Sequence, residues 1–157
     1  MKYLIFVNPG LYDRKTGKLS MDGKKSMIIL AKAMIDGGYS NNAIILTSPP
    51  GIHRESSAVR CSESSLILAD YLGGVKIVES NYLGGLGFGV EQEYELICEY
   101  EWSFETMILV PHADVLRDFP VYFLKKRSEE RFYPEEIKVG EALVLDLESG
   151  QIIYLPQ

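Results

Sequence analysis

The sequence predicts an α/β fold of three layers, α/β/α, with helices on both faces of a mainly parallel central sheet. Three observations carry this. Short continuous apolar runs, such as Tyr3-Leu4-Ile5-Phe6-Val7, close on turn signals and fit strands buried on both faces. They alternate with longer segments whose apolar residues recur at helical spacing, the order that builds a parallel sheet. Late in the chain, Glu148-Ser149-Gly150 separates two apolar runs, 141–147 and 151–155, which signals a C-terminal β-hairpin.

The elements follow in order. The first strand, 3–7, ends at Asn8-Pro9-Gly10, and residues 11–18 are polar and read as a loop. Ser20 is placed to cap a helix, with Asp22 in its first turn, where a carboxylate suits the helix dipole. Gly23, Met27, Leu30, Ala31 and Met34 share one face of that helix, and Gly37-Gly38 ends it. A second strand, 42–47, stops at Ser48-Pro49-Pro50-Gly51. A second helix runs from about Arg60 to Leu72 on the stripe Cys61, Ser65, Leu68, Ala69 and Leu72, and a short strand covers 75–78. Residues 81–89 hold Gly84, Gly85, Gly87 and Gly89 and read as a mobile loop. An acidic amphipathic helix is expected over 91–101 and a third buried strand over 106–110, ending at Pro111-His112.

The 157 residues, 46% apolar and 24% charged, suit a single globular domain, 1–157. A net charge of −6 argues against a nucleic-acid face, which needs concentrated Lys and Arg. The dense basic run Lys125-Lys126-Arg127 is followed by Glu129 and Glu130 and reads as solvated surface. Two cysteines, Cys61 and Cys98, make neither a disulfide framework nor a zinc site and read as small buried hydrophobes. No apolar run reaches membrane-spanning length, and the N-terminal run is too short for a signal segment. These features set the expectation of a cytoplasmic protein with no metal and no cofactor.

Ligands in open α/β sheets bind beyond the carboxyl ends of the strands. Those ends are Asn8-Pro9-Gly10, Ser48-Pro49 and His112-Ala113-Asp114. In that order they resemble the histidine phosphatase superfamily, the phosphoglycerate mutase-like fold. Its first strand ends in Arg-His-Gly, where this chain has Asn8-Pro9-Gly10. Its next motif, Leu-Thr-x-x-Gly-x-x-Gln-Ala-x-x-Leu, is similar to the ungapped stretch from Leu19 through Ser20 and Gly23 to Leu30. Leu46-Thr47-Ser48-Pro49 resembles the family's Ser-Ser-Pro, and Arg60-Cys61-Ser62-Glu63-Ser64-Ser65 its Arg-Ala-x-Gln-Thr-Ala, with residues 50–59 as an apparent insertion between them. Val110-Pro111-His112-Ala113-Asp114-Val115-Leu116-Arg117 resembles Val-Ser-His-Gly-Gly-Val-Ile-Arg. The resemblance spans nearly the whole chain, and its shortness is similar to the compact phosphohistidine phosphatase branch.

The resemblance implies covalent phosphoryl transfer, in which an imidazole attacks phosphorus while two arginines and a second histidine hold the equatorial oxygens. Pro9 stands where the attacking imidazole belongs, and its ring nitrogen lies in the peptide bond with no lone pair to give. Asn8 replaces the first arginine, so a charge-assisted, bidentate contact becomes a neutral amide. The family reaction cannot run on these residues. Arg60 and His112 are expected to remain as half of a phosphate cradle, with Asn8 and Ser64 as neutral partners. The contrary reading has Arg60 capping its helix or pairing with Glu63, and His112 bonded within its own turn. Asp114 is expected to favour a protonated His112 and to repel phosphate.

The expectation is therefore a catalytically degenerate protein that binds a phosphorylated small molecule or phosphoprotein, its oligomeric state open. Two other readings stay open. One is an active phosphatase using a displaced nucleophile, with His53 in the insertion as first candidate and no general acid identified, since Glu79 reads as a surface residue. The other is an interaction module with a vestigial pocket and an aromatic patch drawn from Tyr94, Tyr100, Trp102 and Phe104.

Overall fold

The computed structural model describes residues 1–51, 59–85, 87–128 and 133–156. Six strands form one sheet in the order β3-β2-β4-β1-β5-β6, with β1 Tyr3–Val7, β2 Ala43–Thr47, β3 Lys76–Glu79, β4 Thr106–Val110, β5 Ala142–Asp146 and β6 Ile152–Leu155. The pairs β1–β4, β2–β4 and β2–β3 are parallel, and the last two strands form the antiparallel hairpin against β1. Among the described residues four α-helices flank them: α1 Met21–Asp36, α2 Val59–Tyr71, α3 Val90–Tyr100 and α4 Ala113–Arg127. This is the three-layer, mainly parallel arrangement the alternation predicts.

Period-two alternation divides the core. Ile5, Val7, Ile45, Ile108 and Val110 point to the face covered by α1 and α2. Leu4, Phe6, Ile44, Leu46, Met107 and Leu109 point to the face covered by α3 and α4. Both faces are dry, as the continuous apolar strands require. Ser20 caps α1 by accepting from the Gly23 N–H at 3.0 Å. The buried stripe of α1 is Gly23, Met27, Leu30, Ala31 and Met34.

The structure corrects the sequence reading in several places. Residues 81–89 are not wholly a loose loop: Asn81–Gly84 is a 3-10 turn, and Leu83 is fully buried in the second core. One apolar side chain outweighs the local cost of its glycines. No element is predicted for residues 113–140, yet α4 spans fifteen of them and carries Pro120 inside it. Val115, Phe119 and Phe123 bury against the sheet, and that packing holds a helix that Pro120 weakens locally. Lys125, Lys126 and Arg127 form its last turn and stay exposed. Cys61 is buried, but Cys98 is only half-buried. Of the proposed aromatic patch, Tyr94, Tyr100 and Phe104 pack against the core and only Trp102, 90% exposed, stands free of it.

Candidate functional site

Register places the three strand ends side by side. Phe6 pairs with Leu109 and Thr47 with Val110, so Asn8-Pro9, Ser48-Pro49 and Pro111-His112 emerge along one edge. Thr47 Oγ1 and the Ser48 N–H both donate to Val110 O, at 3.1 and 3.2 Å. The helices α1, α2 and α4 all begin at this edge, which gives it a field favourable to anions.

The turn after β1 is pressed tightly against its neighbours. A Cβ built on Gly10 would lie 2.6 Å from Gly23 O, and one on Gly23 would lie 2.0 Å from Leu11 O. Only glycine permits the chain to cross the first turn of α1 here. The Gly10 N–H donates to Ser64 Oγ at 3.2 Å, and Ser64 is fully buried. Ser64 thus braces the turn from behind. Pro9 is buried in that turn, with no group able to attack an electrophile.

Asn8 is tied to the segment that leads into β5. Its side-chain amide donates to Ile137 O at 2.7 Å, its N–H donates to Glu141 O at 2.9 Å, and its carbonyl accepts from Gly140 N at 3.0 Å. Its Oδ1 is buried without a hydrogen-bond partner. A cleft of about 510 Å³ opens beside it, lined among others by Asp114, Arg117 and Ile137.

Arg60 lies in the first turn of α2 and is only 8% exposed. It does not pair with Glu63, whose carboxylate accepts from the Leu19 N–H at 2.6 Å. Instead the guanidinium lies over the Tyr12 ring, 4.9 Å from its centroid, an arrangement that an isolated bridge between Tyr12 and Leu19 supports. Arg60 Nε is buried without a partner, and so is Ser48 Oγ. Among the described residues no carboxylate forms an ion pair with Arg60.

His112 caps α4. Its N–H donates to Leu83 O at 2.8 Å, so the buried Leu83 turn fixes the height of the imidazole. Its Nδ1 sits 3.5 Å from both the Asp114 N–H and Asp114 Oδ2. The neutral ring accepts from the first, and the protonated ring pairs with the second. Cys61 lies beneath, its thiol 3.5 Å from Pro111 O. Burial pushes that thiol up to about 12, so no thiolate is on hand at neutral pH. Glu79, at the end of β3, is exposed. His53 and most of the insertion, residues 52–58, lie outside the described residues.

Tyr12 and Glu93 belong to the picture without a place in the sequence-based site, and Ser48 enters it only within a strand end. Tyr12 sits in a polar loop with no periodicity to mark it, and Ser48 has a detectable signal only as a strand-end hydroxyl. Glu93 belongs to the acidic amphipathic helix expected over 91–101, yet unlike a solvated acid it is 3% exposed.

No family model and no curated protein matches the sequence. Solved structures do match. A candidate phosphohistidine phosphatase, SixA, from Agrobacterium tumefaciens superposes with a TM-score of 0.66 at 16% identity, over 92% of this chain and 91% of that one. The mycobacterial glucosyl-3-phosphoglycerate phosphatase in complex with inorganic phosphate gives 0.65 at 12% identity, over 98% and 95%. Phosphoglycerate mutase from Plasmodium falciparum gives 0.58 at 19% identity, over 99% and 89%. The fold of this chain is the phosphoglycerate mutase-like α/β fold that these solved structures share.

Proposed function

We propose that this chain binds a phosphorylated small molecule or phosphoprotein at the carboxyl edge of its sheet without turning it over. The observation that carries the proposal is Arg60, a guanidinium 8% exposed with its Nε lacking any hydrogen-bond partner. Among the described residues no carboxylate pairs with it; a buried charge left so is costly, and an oxyanion seated beside it removes that cost. Ser48 Oγ, also buried and unpartnered, offers a hydroxyl donor at the same edge, and His112 offers an imidazole. Helix dipoles add to the attraction.

Silence follows from Pro9. Without an imidazole in that turn the covalent step has no nucleophile, and Cys61 stays a thiol. With Asn8 committed to Ile137 O, a second guanidinium-type contact is also missing, and each such stabiliser is worth orders of magnitude in rate.

The test joins two assays. Phosphate, sulfate and orthovanadate should raise the thermal midpoint of the protein and leave that of Arg60→Ala unmoved, while a broad panel of phosphate esters gives no phosphate release. An equal response in Arg60→Ala would remove the binding claim. Turnover abolished by His53→Ala or His112→Ala would overturn the silent site.

A further inference from the structure

A second pocket lies between α4 and the start of α3. It encloses about 240 Å³ and is lined by Gly85, Phe88, Glu93, Asp114, Arg117 and Asp118, among others. Three carboxylates face one guanidinium, and that guanidinium is already used: Arg117 Nη2 donates to Asp118 Oδ2 at 3.2 Å. Glu93 is different from the other two acids. It is 3% exposed, and its Oε2 is buried with no hydrogen-bond partner. Asp118 bears on it electrostatically, and burial with this repulsion pushes its carboxyl up to about 7.

We infer that this pocket is a binding site for a primary ammonium group, held by the Glu93 carboxylate with Asp114 and Asp118 beside it. An ammonium is a compact charge with three donors, and it can satisfy the buried Glu93 oxygen while offsetting the repulsion from Asp118. Phe88 and Val90 supply an apolar wall for the adjoining carbon. Among the described residues no group of three or more His, Cys, Asp or Glu has the arrangement of a metal site, so the donor geometry favours an organic cation. The inference does not depend on phosphate binding. Gly85 joins the two regions, since a Cβ there would lie 3.3 Å from Asp114 Cβ and 3.5 Å from His112 Nδ1. A ligand with both a phosphate and an amine would span them.

The test is a titration of the whole protein at pH 8, where the Glu93 carboxyl is mostly ionised, with ethylammonium chloride, followed by amide chemical shifts, against potassium chloride at matched ionic strength and against magnesium chloride. Ethylammonium should shift the amides of Gly85, Gly89, Val90 and Asp114 saturably, and potassium should not. Glu93→Gln should weaken the titration roughly tenfold or more, the loss of one charge-assisted hydrogen bond, while the response to phosphate is kept. Asp118→Asn should weaken it less and provides a second variant. No saturable shift with ethylammonium, an undiminished titration in Glu93→Gln, or a saturable response to magnesium alone would each overturn the assignment. Loss of the phosphate response in Arg60→Ala bears only on the other site.

Discussion

Arg60 lies over Tyr12, its guanidinium carbon 4.9 Å from the ring centroid, and this contact takes the place of an ion pair with Glu63, whose carboxylate accepts from the Leu19 N–H instead. A cation over an aromatic face gains about 2 kcal/mol when desolvated. Burial of an unpaired charge costs more. Among the described residues no carboxylate offsets the Arg60 charge, so an anion seated here lowers that cost.

One consequence is a trade between stability and binding. Arg60→Met keeps the length of the side chain and removes the charge. In phosphate-free buffer it should stabilise the protein by about 1 kcal/mol, or about 3 °C in midpoint. In phosphate it should gain nothing, whereas the wild type rises. Differential scanning calorimetry in the two buffers checks both.

The crossing of the β1 turn over α1 predicts an inversion of ordinary helix propensity. Ala is favoured over Gly in a helix by about 1 kcal/mol, yet a Cβ on Gly23 would lie 2.0 Å from Leu11 O. The main chain must shift, and Gly23→Ala should cost about 2 kcal/mol net, read by urea denaturation.

Leu83 makes a similar point for the glycine-rich stretch. It is fully buried, and its carbonyl accepts from the His112 N–H at 2.8 Å. Leu83→Ala should destabilise by about 3 kcal/mol. It should also speed hydrogen exchange at His112, because that amide bond rests on the same turn.

These residues show what was legible in the sequence. The strand runs at Tyr3–Val7 and Thr106–Val110, the Ser20 cap and the α1 stripe depend on local pattern and were readable from it. So were the strand ends, because their order is set by the chain. Leu83 and α4 were not, since a lone leucine among glycines and a helix carrying Pro120 are decided by tertiary packing that no local window contains. Glu93 escaped for the same reason: its spacing matches its exposed acidic neighbours, and only the approach of α4 with Asp118 sets it apart. Asn8 and Ser64 stood at readable positions, but their bonds to Ile137 O and from Gly10 N–H depend on chain neighbours 129 and 54 residues away.

Glu93 gives the fold a pH dependence. Its carboxyl is raised from 4.5 to about 7 by burial and by Asp118. Between those values the folded protein holds a proton that the unfolded chain has released, so stability falls as pH rises through this window. Allowing for solvent screening, the loss should come to about 2 kcal/mol between pH 5 and pH 8. Glu93→Gln should flatten this slope and be the more stable protein at pH 8, in urea titrations across that range.

Mass spectrometry after incubation with phosphoramidate, a donor of phosphoryl groups to imidazoles, bears most directly on the central claim that the site holds an oxyanion but forms no bond to it. Under native conditions a phosphate adduct should be present on the wild type and absent from Arg60→Ala, and denaturation at mildly alkaline pH should remove it completely. A phosphoryl group that survives denaturation, maps to His53 or His112 and forms faster than on the urea-unfolded chain would contradict the account, because it would place a working nucleophile where Pro9 has left none.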